Sequence, residues 1–86
     1  MPYEILYEPR ASRRLKKLKS NRQVVQDAID GLTKNPRPDG ARKLAGEELY
    51  RIRVGNWRVI YAIDDEERAV LIAHIRPRNE NAYKNL

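Results

Sequence analysis

From Leu49 to Ile63 apolar and polar residues alternate on either side of Gly55-Asn56. Alternation of period two marks a strand with one buried face. A Gly-Asn pair between two such runs marks a tight hairpin, because glycine accepts the positive φ that these turns need. With the turn at Gly55-Asn56, Val54 pairs with Trp57, Arg53 with Arg58, Ile52 with Val59 and Tyr50 with Tyr61. One face is then Tyr50, Ile52, Val54, Trp57, Val59 and Tyr61, a core. The other carries Arg51, Arg53 and Arg58, with Ile60 and Ala62 beside them.

The rest of the pattern supplies what covers that core. Tyr3, Ile5 and Tyr7 alternate with Glu4, Leu6 and Glu8, which predicts a first strand. Pro9 ends it and suits the first turn of a helix. Ala11, Leu15 and Leu18 then recur at helical spacing. Ser20 with Gln23 three residues on reads as a capping box opening a second helix, striped by Val25, Ala28, Ile29 and Leu32. Pro36 ends it near Asn35. The two helices form a hairpin whose stripes cover the sheet. Residues 37–47, broken by Pro38, Gly40 and Gly46, read as a connecting loop, and Asp64 to Glu67 as a polar turn.

Ala69 to Arg76 is apolar on both parities, as in an interior strand. One register puts Val70, Ile72, His74 and Arg76 on the arginine face. A slip of one residue puts Leu71, Ala73 and Ile75 there instead. The first is preferred because it brings His74 and Arg76 near Arg58. Pro77 ends the strand, and residues 78–86 form a tail or short helix. The expectation is one α+β domain over residues 1–86, in the order β-α-α-β-β-β, with an antiparallel sheet packed on an N-terminal helical hairpin.

Composition narrows the chemistry. At 86 residues the chain is near the small end of what folds alone. It has no cysteine and one histidine, which argues against thiolate or histidine-built metal sites, and no metal or cofactor is expected. No apolar run approaches the ~20 residues of a membrane span, and no signal-peptide core is visible, so a cytoplasmic protein is expected. Lys and Arg number 18 against 12 Asp and Glu. Acids gather at Glu47-Glu48 and Asp64 to Glu67, whereas Arg51, Arg53, Arg58, Arg76 and Arg78 stand apart from them. The first helix carries Arg10, Arg13, Arg14, Lys16, Lys17 and Lys19, either a solvated face or a lure for a polyanion.

Arg53 opposite Arg58 is unfavourable by about 0.2–1 kcal/mol. Arginine has only donors and stays charged. Three guanidinium groups on one sheet face therefore suit an anion, above all a phosphate backbone.

The element order, the stretch KLAGEELYRIRVGNWRVIYAI and the later HIRPRNENAY resemble the RelE/ParE toxin superfamily over nearly the whole chain. The resemblance implies a toxin restrained by a cognate antitoxin, an acidic, partly disordered chain that folds on binding. The RelE branch cleaves messenger RNA in the ribosomal A site, and the ParE branch inhibits DNA gyrase by binding it. A RelE-like site implies catalytic roles for Arg51, Arg53, Arg58, Arg78 and Tyr83, and the preferred register of the last strand adds Arg76 and His74 as substrate contacts. Arg76 competes with Arg78, because Arg78 to Tyr83 is one residue shorter than the family spacing. Arg51 and Arg53 stand where relatives often carry lysine.

Cleavage by the adjacent 2′-hydroxyl requires removal of that proton, stabilisation of the phosphorane and protonation of the leaving 5′-oxygen. Arginines suit the second task but are poor at proton transfer. Tyr83, His74, Glu47 or Glu48, or alignment by the ribosome itself, are the options for the remainder. A plain RNA-binding module is the simpler alternative, but it lacks the exposed aromatic platform usual in such modules.

Overall fold

The computed structural model describes residues 2–78. Strand β1 (Glu4–Tyr7) leads into helix α1 (Pro9–Lys16), a 3₁₀ turn (Lys19–Asn21) and helix α2 (Arg22–Gly31). Strands β2 (Arg42–Lys43), β3 (Tyr50–Val54), β4 (Trp57–Asp64) and β5 (Ala69–Pro77) follow. They form one sheet in the order β1-β5-β4-β3-β2. Ala11, Leu15 and Leu18 from the α1 side, with Val25, Ile29 and Leu32 from the α2 side, pack on Ile52, Val54, Val59, Tyr61, Val70, Ile72 and Ile75. The expected α+β class stands.

Four local features differ from the sequence expectations, three of them outside strand β5. The stretch read as loop contains β2, which pairs antiparallel with β3 and makes the order β-α-α-β-β-β-β. Strand β1 runs parallel to β5 rather than antiparallel. The chain leaves β1 through the helices and re-enters the sheet at its far edge, so the last strand of the β2-to-β5 meander docks beside β1 in the same direction. The capping box does not form. Ser20 lies inside the 3₁₀ turn, Asn21 takes the cap position with helical backbone (φ −84°, ψ −9°) and no side-chain bond, and Gln23 donates to Asp27 at 2.8 Å. A cap residue needs extended backbone to turn its side chain onto the helix start. The reversal is made instead at Lys19, with φ +57°.

The β3–β4 hairpin has the expected register, with Tyr50 opposite Tyr61, Ile52 opposite Val59, Arg53 opposite Arg58 and Val54 opposite Trp57. Gly55 takes φ +58° at the first turn position, while Asn56 is not in the left-handed region. That combination matches the hairpin turn in which glycine comes first.

Strand β5 follows neither expected register throughout. Arg76 opposes Arg58 and His74 opposes Ile60, but Ile72 opposes Tyr61 and Leu71 opposes Ala62, with an irregularity between Ile60 and Tyr61. Ala73 is the extra residue. A bulge of one residue reverses which parity faces the core. Val70 and Ile72 therefore belong to the core, which corrects their assignment to the arginine face, while His74 and Arg76 do reach it. Arg10 of α1 donates from Nε to the Ala73 carbonyl at 3.1 Å and ties the bulge to the helix.

The chain after α2 is fastened to the sheet. Tyr61 donates its hydroxyl to the Pro36 carbonyl at 2.7 Å. Arg37 grips both oxygens of Asp65 at 3.2 and 2.8 Å, donates to the Tyr50 hydroxyl at 3.2 Å and lies over the Tyr50 ring. Tyr3 donates to Asp65 at 2.6 Å. The Arg37 and Tyr3 hydrogen bonds hold the Asp65 carboxyl down at about 2. The unfolded carboxylate titrates near 3.9. The stabilisation is thus present above that value and lost as pH falls from about 4 towards 2. Thermal melting of Asp65→Asn should fall below that of the wild type at neutral pH, and the gap should close across that acid window.

Candidate functional site

The face of the sheet away from the helices is organised in rows that follow from strand register. One row is Arg53 on β3, Arg58 on β4 and Arg76 on β5, each directly opposite the next. Opposed residues have Cα atoms ~4.5–5.5 Å apart, so three cations share one narrow band. The neighbouring row is Arg42 on β2, Arg51 on β3, Ile60 on β4 and His74 on β5. Arg53 is exposed, while Arg51, Arg58 and Arg76 are partly buried. Among the described residues Arg42, Arg51 and Arg53 make no ion pair. Like charges directly opposite each other destabilise a sheet, and a bound anion would offset that cost.

Arg76 and Arg78 reach Arg58 from different sides. Arg76 is its neighbour in the row. Arg78 lies just past the strand, exposed, with its backbone N–H on the Asn56 carbonyl at 2.6 Å. It borders an open cleft of about 520 Å3 with Asn21, Asn56, Trp57, Arg58 and Pro77. Tyr83 lies outside the described residues.

His74 is 6% exposed. Burial lowers its pKa, and the Arg10 and Arg76 charges lower it further, against a smaller opposing effect of Glu8. The imidazole is therefore neutral at neutral pH and has a lone pair to accept a proton. The unfolded histidine titrates near 6.5, so below that pH the unfolded state binds more protons and stability declines as pH falls. In a pH series of melting curves, His74→Gln should show a shallower decline below about 6.5 than the wild type.

The acids give little help. Glu48 pairs with Lys43 at 3.7 Å, and Lys43 shares the parity of Tyr50, on the helix side. Glu47 is exposed in the turn before β3. Asp39, which the sequence did not single out, lines a cleft of about 380 Å3 with Gly40, Arg42, Arg51, Ile52 and Arg53. Arg42 was missed for a related reason: two polar residues in a loop-like stretch have no periodicity from which to read a face.

Trp57 belongs to the core side, as expected. It packs against the core while only partly buried, and Arg14 lies over its ring at 6.0 Å. Together with Arg10, Arg13, Lys17 and Leu18 these two line a basic cleft on the helix side. No group of three or more His, Cys, Asp or Glu residues capable of holding a metal occurs among the described residues.

Comparison with known proteins agrees with this architecture. Residues 5–82 match the family described as the ParE toxin of type II toxin-antitoxin system, parDE. RelE1 of Methanocaldococcus jannaschii is 34% identical over 90 aligned positions, covering 99% of each chain. Toxin RelG of Mycobacterium tuberculosis is 35% identical over 83 positions, covering 91% of this chain and 93% of RelG. Among solved structures, the archaeal RelE–RelB complex from Pyrococcus horikoshii matches with a TM-score of 0.81 at 28% identity, over 93% of this chain and 99% of the matched one.

Proposed function

Because this chain belongs to the RelE/ParE superfamily of type II toxins, we propose that it is a ribosome-dependent endoribonuclease that cuts messenger RNA in the A site. The observation that carries this reading is the row of Arg53, Arg58 and Arg76 across three adjacent strands. In the reaction the 2′-oxygen attacks the adjacent phosphorus, the bond to the 5′-oxygen breaks, and a 2′,3′-cyclic phosphate and a 5′-hydroxyl result. Negative charge grows on the non-bridging oxygens. Donors fixed in advance where that charge develops lower the barrier, often by more than any other single effect.

Arg58 is central because it has an arginine on each side. Arg51 and Arg78 extend the cationic surface, the first towards β2 and the second towards the hairpin turn. None of these groups moves a proton. Neutral His74 is a proton acceptor in the adjacent row, opposite Ile60 and almost fully buried. By resemblance, Tyr83 orients the 2′-hydroxyl. The ribosome, by holding the codon, supplies the alignment that such a small protein does not. The reading needs neither metal nor cofactor, and it requires action in the cytoplasm.

The partner that restrains the toxin is a cognate antitoxin with an acidic segment that folds onto the basic sheet. The relative from Pyrococcus horikoshii is seen in complex with RelB, and the net charge of +6 here favours such a chain.

The ParE description of the matching family favours a second reading, inhibition of DNA gyrase by binding alone. Two assays separate them. On the first reading, primer extension finds cuts in message that is being translated, and gyrase supercoiling proceeds normally with the protein present. Blocked supercoiling with intact message would establish the second reading and overturn the first.

A further inference from the structure

The row next to Arg53, Arg58 and Arg76 adds two further cations, Arg42 and Arg51, to the face. Arg42 and Arg51 face each other across the β2–β3 pair. Arg42 is exposed, and the Nε of Arg51 is buried with no hydrogen-bond partner among the described residues. The cleft they line with Asp39, Gly40, Ile52 and Arg53 is continuous with the first row through Arg53. Strand β2 is only two residues long, so opposing two arginines across half of its pairing weakens an edge that has little else to hold it.

The spacing suggests what would fill this row. Arg51 and Arg53 are two residues apart on one strand, and a strand rises ~3.3 Å per residue. The two rows are therefore separated by about two such steps, close to the spacing of consecutive phosphates in an extended single strand. One phosphate does not span both rows, but two successive ones do.

We propose that Arg42 and Arg51 form a second phosphate subsite, which holds the phosphate one nucleotide away from the scissile one and aligns an extended RNA single strand along β3. This rests on the reading of the face as an RNA site and goes beyond it by assigning Arg42 and the direction of the strand.

The test uses a 2′-O-methyl RNA tetranucleotide, which binds but has no free 2′-hydroxyl to attack. Its affinity is measured by fluorescence anisotropy over a salt series for the wild type, Arg42→Ala and Lys43→Ala. Each single-strand phosphate contact adds about 0.7 to the slope of log affinity against log salt. Arg42→Ala should lower that slope by about 0.7 and weaken binding several-fold. Lys43→Ala should leave both unchanged, because Lys43 sits opposite Tyr50 on the other face and pairs with Glu48. A dinucleotide with one phosphate should bind the wild type and Arg42→Ala alike. An unchanged slope in Arg42→Ala, or an equal drop in Lys43→Ala, overturns the subsite while leaving the first row intact. If the wild type fails to bind the tetranucleotide at low salt, the subsite is overturned, while the cleavage reading stands or falls on the assay with translated message.

Discussion

Arg58→Ala should cut translated message about 10²–10³-fold more slowly than the wild type, with cooperative melting retained. The size follows from the cost of removing one preorganised donor from a developing oxyanion. Among the described residues Arg58 is the one arginine with an arginine directly opposite on both sides, Arg53 and Arg76, and it also borders the cleft shared with Arg78. Its removal takes away the central donor of the row and leaves only the two flanking cations. Arg58→Lys should recover only part of the rate, because a point charge lacks the forked donor geometry. Primer extension in a translating extract gives the rates, and circular dichroism melting shows whether the fold is kept. Cleavage undiminished in Arg58→Ala would remove the row from the active site.

Tyr61→Ala should destabilise the protein by about 3–5 kcal/mol, the range for truncating a large core aromatic. Tyr61 is fully buried in the middle of the sheet, stacks on Tyr50 with ring centroids 6.0 Å apart and anchors the Pro36 carbonyl. Small domains have only about 5–15 kcal/mol in total, so this one change removes a large share. Tyr61→Phe isolates the hydroxyl. It keeps the ring but leaves the Pro36 carbonyl without its donor, at a cost of about 1–3 kcal/mol. Each kcal/mol lowers Tm by about 4–8 °C in a domain of this size. Burial, aided by Tyr50, pushes the Tyr61 phenol up to about 12 against the opposing Arg37 charge. The unfolded phenol ionises near 10, so wild-type stability should fall as pH rises from about 10 to about 12. Tyr61→Phe should lack that component. Urea melts of the three proteins at neutral and alkaline pH measure both effects.

These residues also show which parts of the molecule could be read from the chain. The hairpin register was legible because glycine and asparagine interrupt two cleanly alternating runs, and one turn geometry then fixes every pair. Both faces followed from it, including the opposition of Arg53 and Arg58. Strand β5 was legible as an interior strand but not in register. Ala69 to Ile75 is apolar on both parities except for His74, so no change of pattern betrays a bulge at Ala73. The carbonyl at the bulge is bonded by Arg10, a contact distant in sequence that no local pattern records. Strand β2 was hidden because two residues cannot show a period, and with it went Arg42. The parallel pairing of β1 is a consequence of where the helices deliver the chain, which no local pattern records. Ser20 and Gln23 had the capping signature, but the tight reversal at Lys19 placed Ser20 inside a 3₁₀ turn.

On the proposed reading, this sheet face promotes attack by a 2′-hydroxyl on message held in the ribosome. The most direct measurement is the chemistry of the cut ends, obtained by incubating the protein with translating ribosomes and analysing the 3′ termini of the upstream fragments. Cuts within ribosome-occupied codons should end in 2′,3′-cyclic phosphate, and the same message without ribosomes should stay whole. Cuts ending in a 3′-hydroxyl, or message left whole while ribosomes translate it, would rule out 2′-hydroxyl attack on this face.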